Sequence, residues 1–371
     1  MHVLVYTDSA GVGGAEISLG HLVTNASSDV TLTVVGVSPP VVEAIAKGRP
    51  QAQSHVLPAA GLAAWRSHLT TFRRLRPDIV HINLCTPWAG AVGLAAALSL
   101  PQARVLRVDQ LPLRTTHLPT WLRTRSLSLR VDAHVAVGQA CSRRMEDFYA
   151  LGRHTVQSIP NGVPEVDLKP LAIAPLAKFG QEHGFRIGSI GRLDPMKGHD
   201  ILLRAVAHMD TAHVTILGDG AYRGTLEQLA AELGIAHQIA LPGWVDQPRP
   251  YLPTFDVFAQ PSRSEGFPLT VVEAMLAARP IVATRVGSVA EAIAPDETGL
   301  LIEKDDVAAL AAALGRLQRY PVLAQRLGQQ ARAFALRHFT VESMVAQYER
   351  LWDQLLSQGR TRRLWVEQPR E

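Results

Sequence analysis

Two glutamates, Glu265 and Glu273, stand in the run Ser264-Glu265-Gly266-Phe267-Pro268-Leu269-Thr270-Val271-Val272-Glu273-Ala274. Carboxylates are strong acceptors for the paired hydroxyls that sugars and riboses present. The run follows an apolar strand pattern at 257–260, and Pro268 suits a first helical turn, where a missing backbone N–H costs little. The unsatisfied N–H groups and the dipole at such a helix start favour an anion. Glu265 then lies in the loop and Glu273 about a turn and a half into the helix, so the two can reach opposite ends of one ligand. Taken alone, the spacing equally describes a helix cap and a solvated glutamate.

A second run, Gly188-Ser189-Ile190-Gly191-Arg192-Leu193-Asp194-Pro195-Met196-Lys197-Gly198-His199, ends another strand pattern. Gly191 lets backbone approach a ligand, and Arg192 with Lys197 can bracket a diphosphate and stabilise charge developing on a leaving group. The plainer reading is a turn with two solvated cations. Both runs fall beyond strand ends of one half of the chain, where a doubly wound sheet opens its ligand crevice. A third run, Gly11-Val12-Gly13-Gly14-Ala15-Glu16, joins the first strand to the first helix and can set backbone N–H groups against phosphate. Position 16 is Glu16 rather than glycine, so the Gly-x-Gly-x-x-Gly spacing of a nicotinamide dinucleotide site is missing.

Placing these runs requires parallel strands with crossover helices, and short Val/Ile-rich runs do alternate with helical patterns along the chain. Strands are expected at 3–6, 31–37, 79–83, 105–108, 134–137 and 155–159, then at 186–190, 215–217, 239–241, 257–260, 281–283 and 299–302. The 371 residues exceed what one core usually organises, and the fold class is α/β, with two Rossmann-like doubly wound domains. The expected boundaries are 1–170 and 176–341, with a Pro-punctuated linker running to Pro175. An amphipathic helix at 342–356 carries Met344, Val345, Tyr348, Leu351, Trp352 and Leu355 on one side. The chain at 342–371 is expected to complete the first domain, its tail from Gly359 loosely held.

Cys85 and Cys141 lie far apart, and no Cys/His cluster has metal-ligand spacing, which points to a reducing compartment without structural zinc. The first residues read as a buried strand rather than a signal peptide. The most apolar helix pattern, 89–100, spans about 12 residues, which suits a core helix rather than a membrane span. The expected location is the cytoplasm, with an option of peripheral attachment to the inner face of the membrane.

Charge is unevenly placed. Residues 1–170 carry 16 Lys/Arg and 11 Asp/Glu, a balance of +5 against +4 for the whole chain, which leaves the remainder at −1. Within 103–130, Arg104, Arg107, Arg114, Arg123, Arg125 and Arg130 face Asp109 alone, interleaved with Leu118, Trp121 and Leu122. This segment is read either as a contact for an anionic membrane or as a helix packed on its own domain with solvated arginines. No nucleic-acid module or stacking platform accompanies the positive charge.

Taken in order, Gly13-Gly14-Ala15-Glu16, Asp78-Ile79-Val80-His81, Ile159-Pro160-Asn161-Gly162-Val163, Gly191-Arg192-Leu193 with Lys197-Gly198, Leu217-Gly218-Asp219-Gly220, and Glu265-Gly266-Phe267-Pro268 with Glu273-Ala274 resemble the retaining glycosyltransferases of family 4. The resemblance covers nearly the whole chain. It implies a GT-B fold, in which two Rossmann-like domains face a central cleft, and a nucleotide diphosphate sugar as donor with no cofactor and no metal. In that pattern Glu273 holds the ribose hydroxyls, Glu265 lies beside the transferred sugar, and Arg192 and Lys197 neutralise the diphosphate. Backbone groups of Phe267, Pro268, Leu269 and Thr270 meet sugar and phosphates, Trp244 and Val245 receive the base, and Gly13 and Gly14 close over the donor.

The resemblance also implies a glycan, lipid-linked or small-molecule acceptor. Many relatives place a histidine near it, after the strand at 105–108, where this chain has Asp109-Gln110. An ionised carboxylate cannot donate a hydrogen bond, so Asp109 is an imperfect substitute. His81, Asn161 and His117 are the other acceptor-side candidates. The alternative functions are a GT-B nucleotide-sugar binding protein and an epimerase without transferase activity.

Overall fold

The computed structural model describes residues 1–165 and 184–357. The chain divides into two compact units, Met1–Pro164 together with the chain from Val341, and Glu165–Thr340. The expected linker from position 166 on, and the tail from Gly359, lie outside the described residues.

The first unit alternates strand and helix: β1 (His2–Thr7), α1 (Gly14–Asn25), β2 (Thr31–Gly36), α2 (Pro39–Ala46), β3 (Gln53–Val56), α3 (Gly61–Leu75), β4 (Ile79–Leu84), α4 (Ala91–Leu98), β5 (Arg104–Asp109), α5 (Leu118–Ser128), β6 (Ala133–Ala136), α6 (Gln139–Tyr149) and β7 (Gln157–Ser158). Among the described residues the strands form one seven-stranded sheet in the order β3-β2-β1-β4-β5-β6-β7. Every pairing is parallel, the arrangement that needs a helical crossover after each strand. Strand order reverses between β1 and β4, which puts the glycine-rich turn after β1 and Cys85 after β4 at the switch point.

Strand β3 was not expected from the sequence. Its residues Gln-Ser-His-Val are mostly exposed on the sheet edge, so no buried apolar face marks them. At the other edge β7 keeps two of the five residues expected at 155–159.

In the second unit the elements are β8 (Phe185–Ile190), α7 (His199–Val206), β9 (Ala212–Leu217), α8 (Arg223–Glu232), β10 (Ile239–Gly243), β11 (Val257–Gln260), α9 (Leu269–Leu276), β12 (Ile281–Thr284), α10 (Val289–Ala292), β13 (Leu300–Ile302), α11 (Val307–Arg319) and α12 (Pro321–His338). The sheet order is β10-β9-β8-β11-β12-β13, again all parallel, with its switch point between β8 and β11. The Arg192/Lys197 run follows β8 and the Glu265 run follows β11. Neighbouring strands therefore deliver to one edge two segments some 70 positions apart in sequence.

Helix α13 (Val341–Ser357) returns to the first unit. Its stripe of Met344, Val345, Tyr348, Leu351, Trp352 and Leu355 is buried, as a 3.6-residue period requires of a one-sided helix. The His81 ring of β4 packs 5.1 Å from Tyr348 and 6.0 Å from Trp352. Met344 Sδ accepts from the Gly162 N–H at 3.1 Å and the Ser18 hydroxyl at 3.6 Å, tying helix, α1 and the loop after β7 together.

The basic segment 103–130 is much less of a cationic surface than its composition suggests. Arg107 is wholly buried on β5 and Arg104 is paired with Asp132. Arg125 donates to the carbonyls of Tyr149 and Ala150 at the end of α6 and lies over the Trp121 ring. Composition alone counts these three as surface charge. They are corrected to internal roles, because strand and helix-end carbonyls or carboxylates take up their donors. Arg114, Arg123 and Arg130 remain exposed, with Leu118 and Leu122 exposed beside them on α5. No helix among the described residues is long and apolar enough to cross a membrane.

Candidate active site

At the carboxyl ends of β8 and β11, Lys197 Nζ lies 2.7 Å from Glu265 Oε1. The same oxygen accepts from Gln260 Nε2 at 2.6 Å and from the Ser262 hydroxyl at 2.7 Å. Three donors on one oxygen fix the carboxylate's rotation, and the side chain is almost fully buried. Gln260 is aligned in turn by the Thr270 hydroxyl, which donates to its Oε1 at 3.2 Å.

The turn carrying Lys197 is a short 3₁₀ segment, Pro195–Lys197, capped by Asp194, whose side chain accepts from the Met196 and Lys197 N–H groups. Asp194 also pairs with Arg192 at 3.2 Å, and the Arg192 side chain is 77% exposed. The turn closes on Gly198 at φ +66°, where a Cβ would stand 2.0 Å from the Pro261 carbonyl oxygen. Gly287, at φ +53°, leaves the same kind of room beneath Glu265, whose carbonyl oxygen would lie 1.9 Å from a Cβ. These two glycines let the turn and the α10 loop close on the Glu265 segment.

Arg263, which no motif marks, makes the densest link between the two runs. Its backbone N–H donates to Met196 O at 2.7 Å and its guanidinium to Pro195 O, so one residue of the Glu265 loop grips the Lys197 turn. The fork also binds Asp200 through two nitrogens, at 2.9 and 2.7 Å, and Asp305 at 2.6 Å. The only sequence signal was an arginine two positions before the glutamate, which has no meaning until β8 and β11 are neighbours.

Helix α9 begins at Leu269, with Pro268 in the capping position just before it. Phe267, Pro268 and Leu269 are buried and Thr270 is half-buried, the Phe267 ring resting 5.3 Å from Phe339. Glu273 lies in this helix, nearly buried, with its Oε1 2.8 Å from Arg249 Nε. Burial pushes its carboxyl up from the ordinary range and the Arg249 charge opposes that shift. Gly191 is half-buried beside the Lys197 stem. Trp244 and Val245 follow β10, two strands from β8. Trp244 is largely exposed, and among the described residues neither makes a side-chain hydrogen bond to the Lys197–Glu265 cluster.

In the first unit, Gly13 donates its N–H to Glu16 Oε2 at 2.9 Å, and Gly14 opens α1. Glu16 Oε1 accepts from the Cys85 thiol at 3.1 Å. Burial first, and then the neighbouring Glu16 charge, push that thiol up to about 12, so it stays protonated and donates.

Of the four acceptor-side candidates, Asp109, Asn161 and His81 are buried within the first unit. Asp109 is fully buried, accepting from Arg107 Nε at 2.7 Å and Nη2 at 2.9 Å and lying 2.6 Å from His134 Nε2. Burial alone would raise its pKa, but Arg107 and the His134 hydrogen bond outweigh it and hold the carboxyl well below the usual range. Arg107 also binds Ser128 and the Pro87 carbonyl. Asn161 bridges Ser18 at 2.7 Å and Gln110 at 2.9 Å, and Gln110 continues the chain to Asn83 at 2.8 Å. His81 is sealed under α13, and burial lowers its pKa to about 3. All three make these contacts within the first unit. His117 is exposed at the start of α5, 2.8 Å from the Thr120 hydroxyl. Among the described residues no three His, Cys, Asp or Glu side chains cluster as a metal site.

Two doubly wound units of this kind define the GT-B class. The crystal structure of Anabaena HepE in complex with UDP superposes with a TM-score of 0.84 over 95% of this chain and 100% of that chain, at 20% identity. The chain belongs to the family 4 glycosyltransferases. The profile described as Glycosyltransferase Family 4 matches residues 12–166, and that described as Glycosyl transferases group 1 matches residues 184–319. Among its relatives, the lipopolysaccharide core biosynthesis glycosyltransferase LpsE of Rhizobium meliloti is 29% identical over 163 residues, 44% of this chain. That match spans about half of LpsE's own length, 48%. The GDP-mannose-dependent alpha-(1-6)-phosphatidylinositol monomannoside mannosyltransferase of Mycolicibacterium smegmatis is 28% identical over 293 residues, 72% of this chain and 76% of that protein.

Proposed function

We propose that the protein is a retaining glycosyltransferase that moves a hexose-type sugar from a UDP- or GDP-sugar to a glycan, lipid-linked or small-molecule acceptor, without a metal. The observation that carries this reading is the junction of Lys197 with the anchored Glu265 beside the start of α9. As the bond between C1 of the sugar and the diphosphate oxygen breaks, negative charge collects on the leaving group. Lys197 and Arg192 are the cations at hand to neutralise it, which is electrostatic stabilisation where charge develops. The acceptor hydroxyl attacks C1 on the face the diphosphate leaves, and its proton passes to the leaving phosphate oxygen, so no separate protein base is required.

In this scheme Glu265 lies beside the transferred sugar and Glu273 holds the ribose. Trp244 and Val245 line the approach of the base. Donor recognition is assigned to the second unit and acceptor recognition to the first. Names of the relatives, which include a lipopolysaccharide core enzyme and a phosphatidylinositol monomannoside mannosyltransferase, support a glycan or lipid-linked acceptor. The exposed Leu118, Leu122, Arg114 and Arg123 suit peripheral contact with an anionic bilayer at the cytoplasmic face.

The test is a panel of UDP- and GDP-sugars scored by binding and by release of nucleoside diphosphate, with and without acceptor mixtures. One donor should be hydrolysed slowly alone, and activity should persist in chelator. Lys197→Ala and Arg192→Ala should each lower turnover, Lys197→Ala by about a hundredfold or more. Turnover within a few-fold of wild type in both variants would overturn the assignment. Binding without any diphosphate release would mark a nucleotide-sugar binding protein, and interconversion of the sugar would mark an epimerase.

A further inference from the structure

Arg249 opens a 3₁₀ turn, Arg249–Thr254, between β10 and β11. Pro248, Pro250 and Pro253 restrict its backbone, Leu252 is fully buried, and the turn packs against α9. A residue on so restrained a turn has a fixed origin for its side chain. From there the guanidinium reaches Glu273 through Nε alone, at 2.8 Å, rather than through the two-pronged fork that arginine and carboxylate usually adopt. Among the described residues, Glu273 Oε2 and both terminal nitrogens of Arg249 have no hydrogen bond. The pair is therefore half used. One carboxylate oxygen is clamped, and the other carries no hydrogen bond among the described residues.

We infer that Arg249 is a positioning residue for donor recognition, fixing the Glu273 carboxylate so that its second oxygen meets the paired hydroxyls of the donor ribose. The inference rests on the reading of Glu273 as the ribose-holding group. A hydroxyl pair needs a strong acceptor in a set orientation, and a lone carboxylate on a helix can rotate about its terminal torsion. The clamp removes that freedom. It also opposes protonation, since burial favours the neutral acid and Arg249 is the charged side chain that counters it.

The other elements packed on α9 supply no second partner. β11 and β12 present only uncharged residues. Arg332 of α12 is engaged by Glu165 and the Leu276 carbonyl, and Glu291 of α10 is an acid.

The experiment measures calorimetric affinity of UDP, GDP and their 2′-deoxy forms for wild type, Arg249→Gln, Arg249→Lys, Glu273→Gln and the Arg249→Gln/Glu273→Gln double variant. Each is measured across about pH 6 to 8, with thermal unfolding as a check on folding. Arg249→Gln should weaken the ribonucleotide by about tenfold to a hundredfold and the 2′-deoxy form by much less. The double variant should be no weaker than Glu273→Gln alone, because both losses pass through one carboxylate. The Arg249→Gln loss should grow as pH falls, as the freed carboxyl picks up its proton, while wild type and Arg249→Lys stay flatter. An unchanged affinity, an equal loss for the deoxy form, or additive losses would overturn the inference. If Arg249→Gln does not fold, Arg249→Lys carries the comparison. It keeps the charge while losing the planar fork, so it should retain the flat pH profile, and a profile that steepens overturns the inference. Wild type that binds no nucleoside diphosphate overturns the donor reading itself, and this inference with it.

Discussion

Replacing Asp109 by asparagine keeps the shape of the side chain and removes its charge at a site with no solvent access. The carboxylate receives Arg107 Nε and Nη2 and faces His134 Nε2, with Arg107 itself buried. An asparagine retains one acceptor oxygen and turns an NH₂ group toward the remaining donors, so about two charge-assisted hydrogen bonds are lost or become repulsive. At ~1.5–3 kcal/mol each, the loss is ~3–6 kcal/mol. That agrees with the ~3–5 kcal/mol typical of stripping one partner from a buried ion pair. In a unit of this size the melting transition should drop by roughly 6–20 °C.

The assay is calorimetric and urea unfolding of the intact chain, following the transition of the first unit. A matched variant, Arg107→Met with Asp109→Leu, removes both charges and should lie within ~2 kcal/mol of wild type. The acid limb supplies a second check. A carboxyl whose folded pKa is depressed contributes stability that is fully present above its ordinary value and lost as pH falls through the folded one. Wild type should therefore lose stability below about pH 4 more steeply than Asp109→Asn. Asp109→Asn within ~1 kcal/mol of wild type would refute the reasoning, since stripping one partner from a buried ion pair typically costs ~3–5 kcal/mol.

Other consequences can be checked with the same preparations. Arg263→Lys should fail to restore what Arg263→Ala loses, because a point charge cannot span Asp200, Asp305 and the Pro195 carbonyl together. Steady-state kinetics should show kcat falling by about tenfold in both variants, through the misplaced Lys197 turn. Gly287→Ala combines a φ of +53° with a Cβ pressed on the Glu265 carbonyl. It should cost ~2 kcal/mol or more in urea unfolding, where a surface Gly→Ala change gains a few tenths. Burial depresses the His81 pKa, so its neutral form adds stability that erodes as pH drops below about 6.5, where the unfolded chain takes up a proton. His81→Phe should soften that acid dependence of the first unit, leaving the portion due to His2, His55, His68 and His134.

Strand periodicity made most of both sheets readable, because parallel strands buried on two faces stand out as short Val/Ile runs. β3 escaped for the same reason inverted, as an edge strand with exposed polar residues has no such signature. At the site, Lys197 and Glu265 were legible as residue types but their direct contact was not, since it depends on β8 and β11 being neighbours. The Arg107–Asp109 pair could have been found. Residues two apart on a strand share a face, so an arginine and an aspartate inside an otherwise apolar strand signal a mutually satisfied pair. Composition and motif order alone put Arg107 in a basic segment and Asp109 among the acceptor-side candidates. Asn161 differs, because a motif position says nothing about burial until its amide is seen engaged by Ser18 and Gln110.

The return of α13 to the first unit has a consequence for biosynthesis. The face around His81 and Ser18 is made early by the ribosome but is covered only by residues from Val341 onward, after the whole second unit, Glu165–Thr340, has been translated. At ~5–20 residues per second that interval is roughly 10–35 s. Through it the nascent first unit carries an open apolar seam where Trp352 and Tyr348 will later sit, while the second unit has every element it needs and can fold ahead of it. The unit begun first is thus the unit finished last, and a chaperone that shields that seam would act on the growing chain.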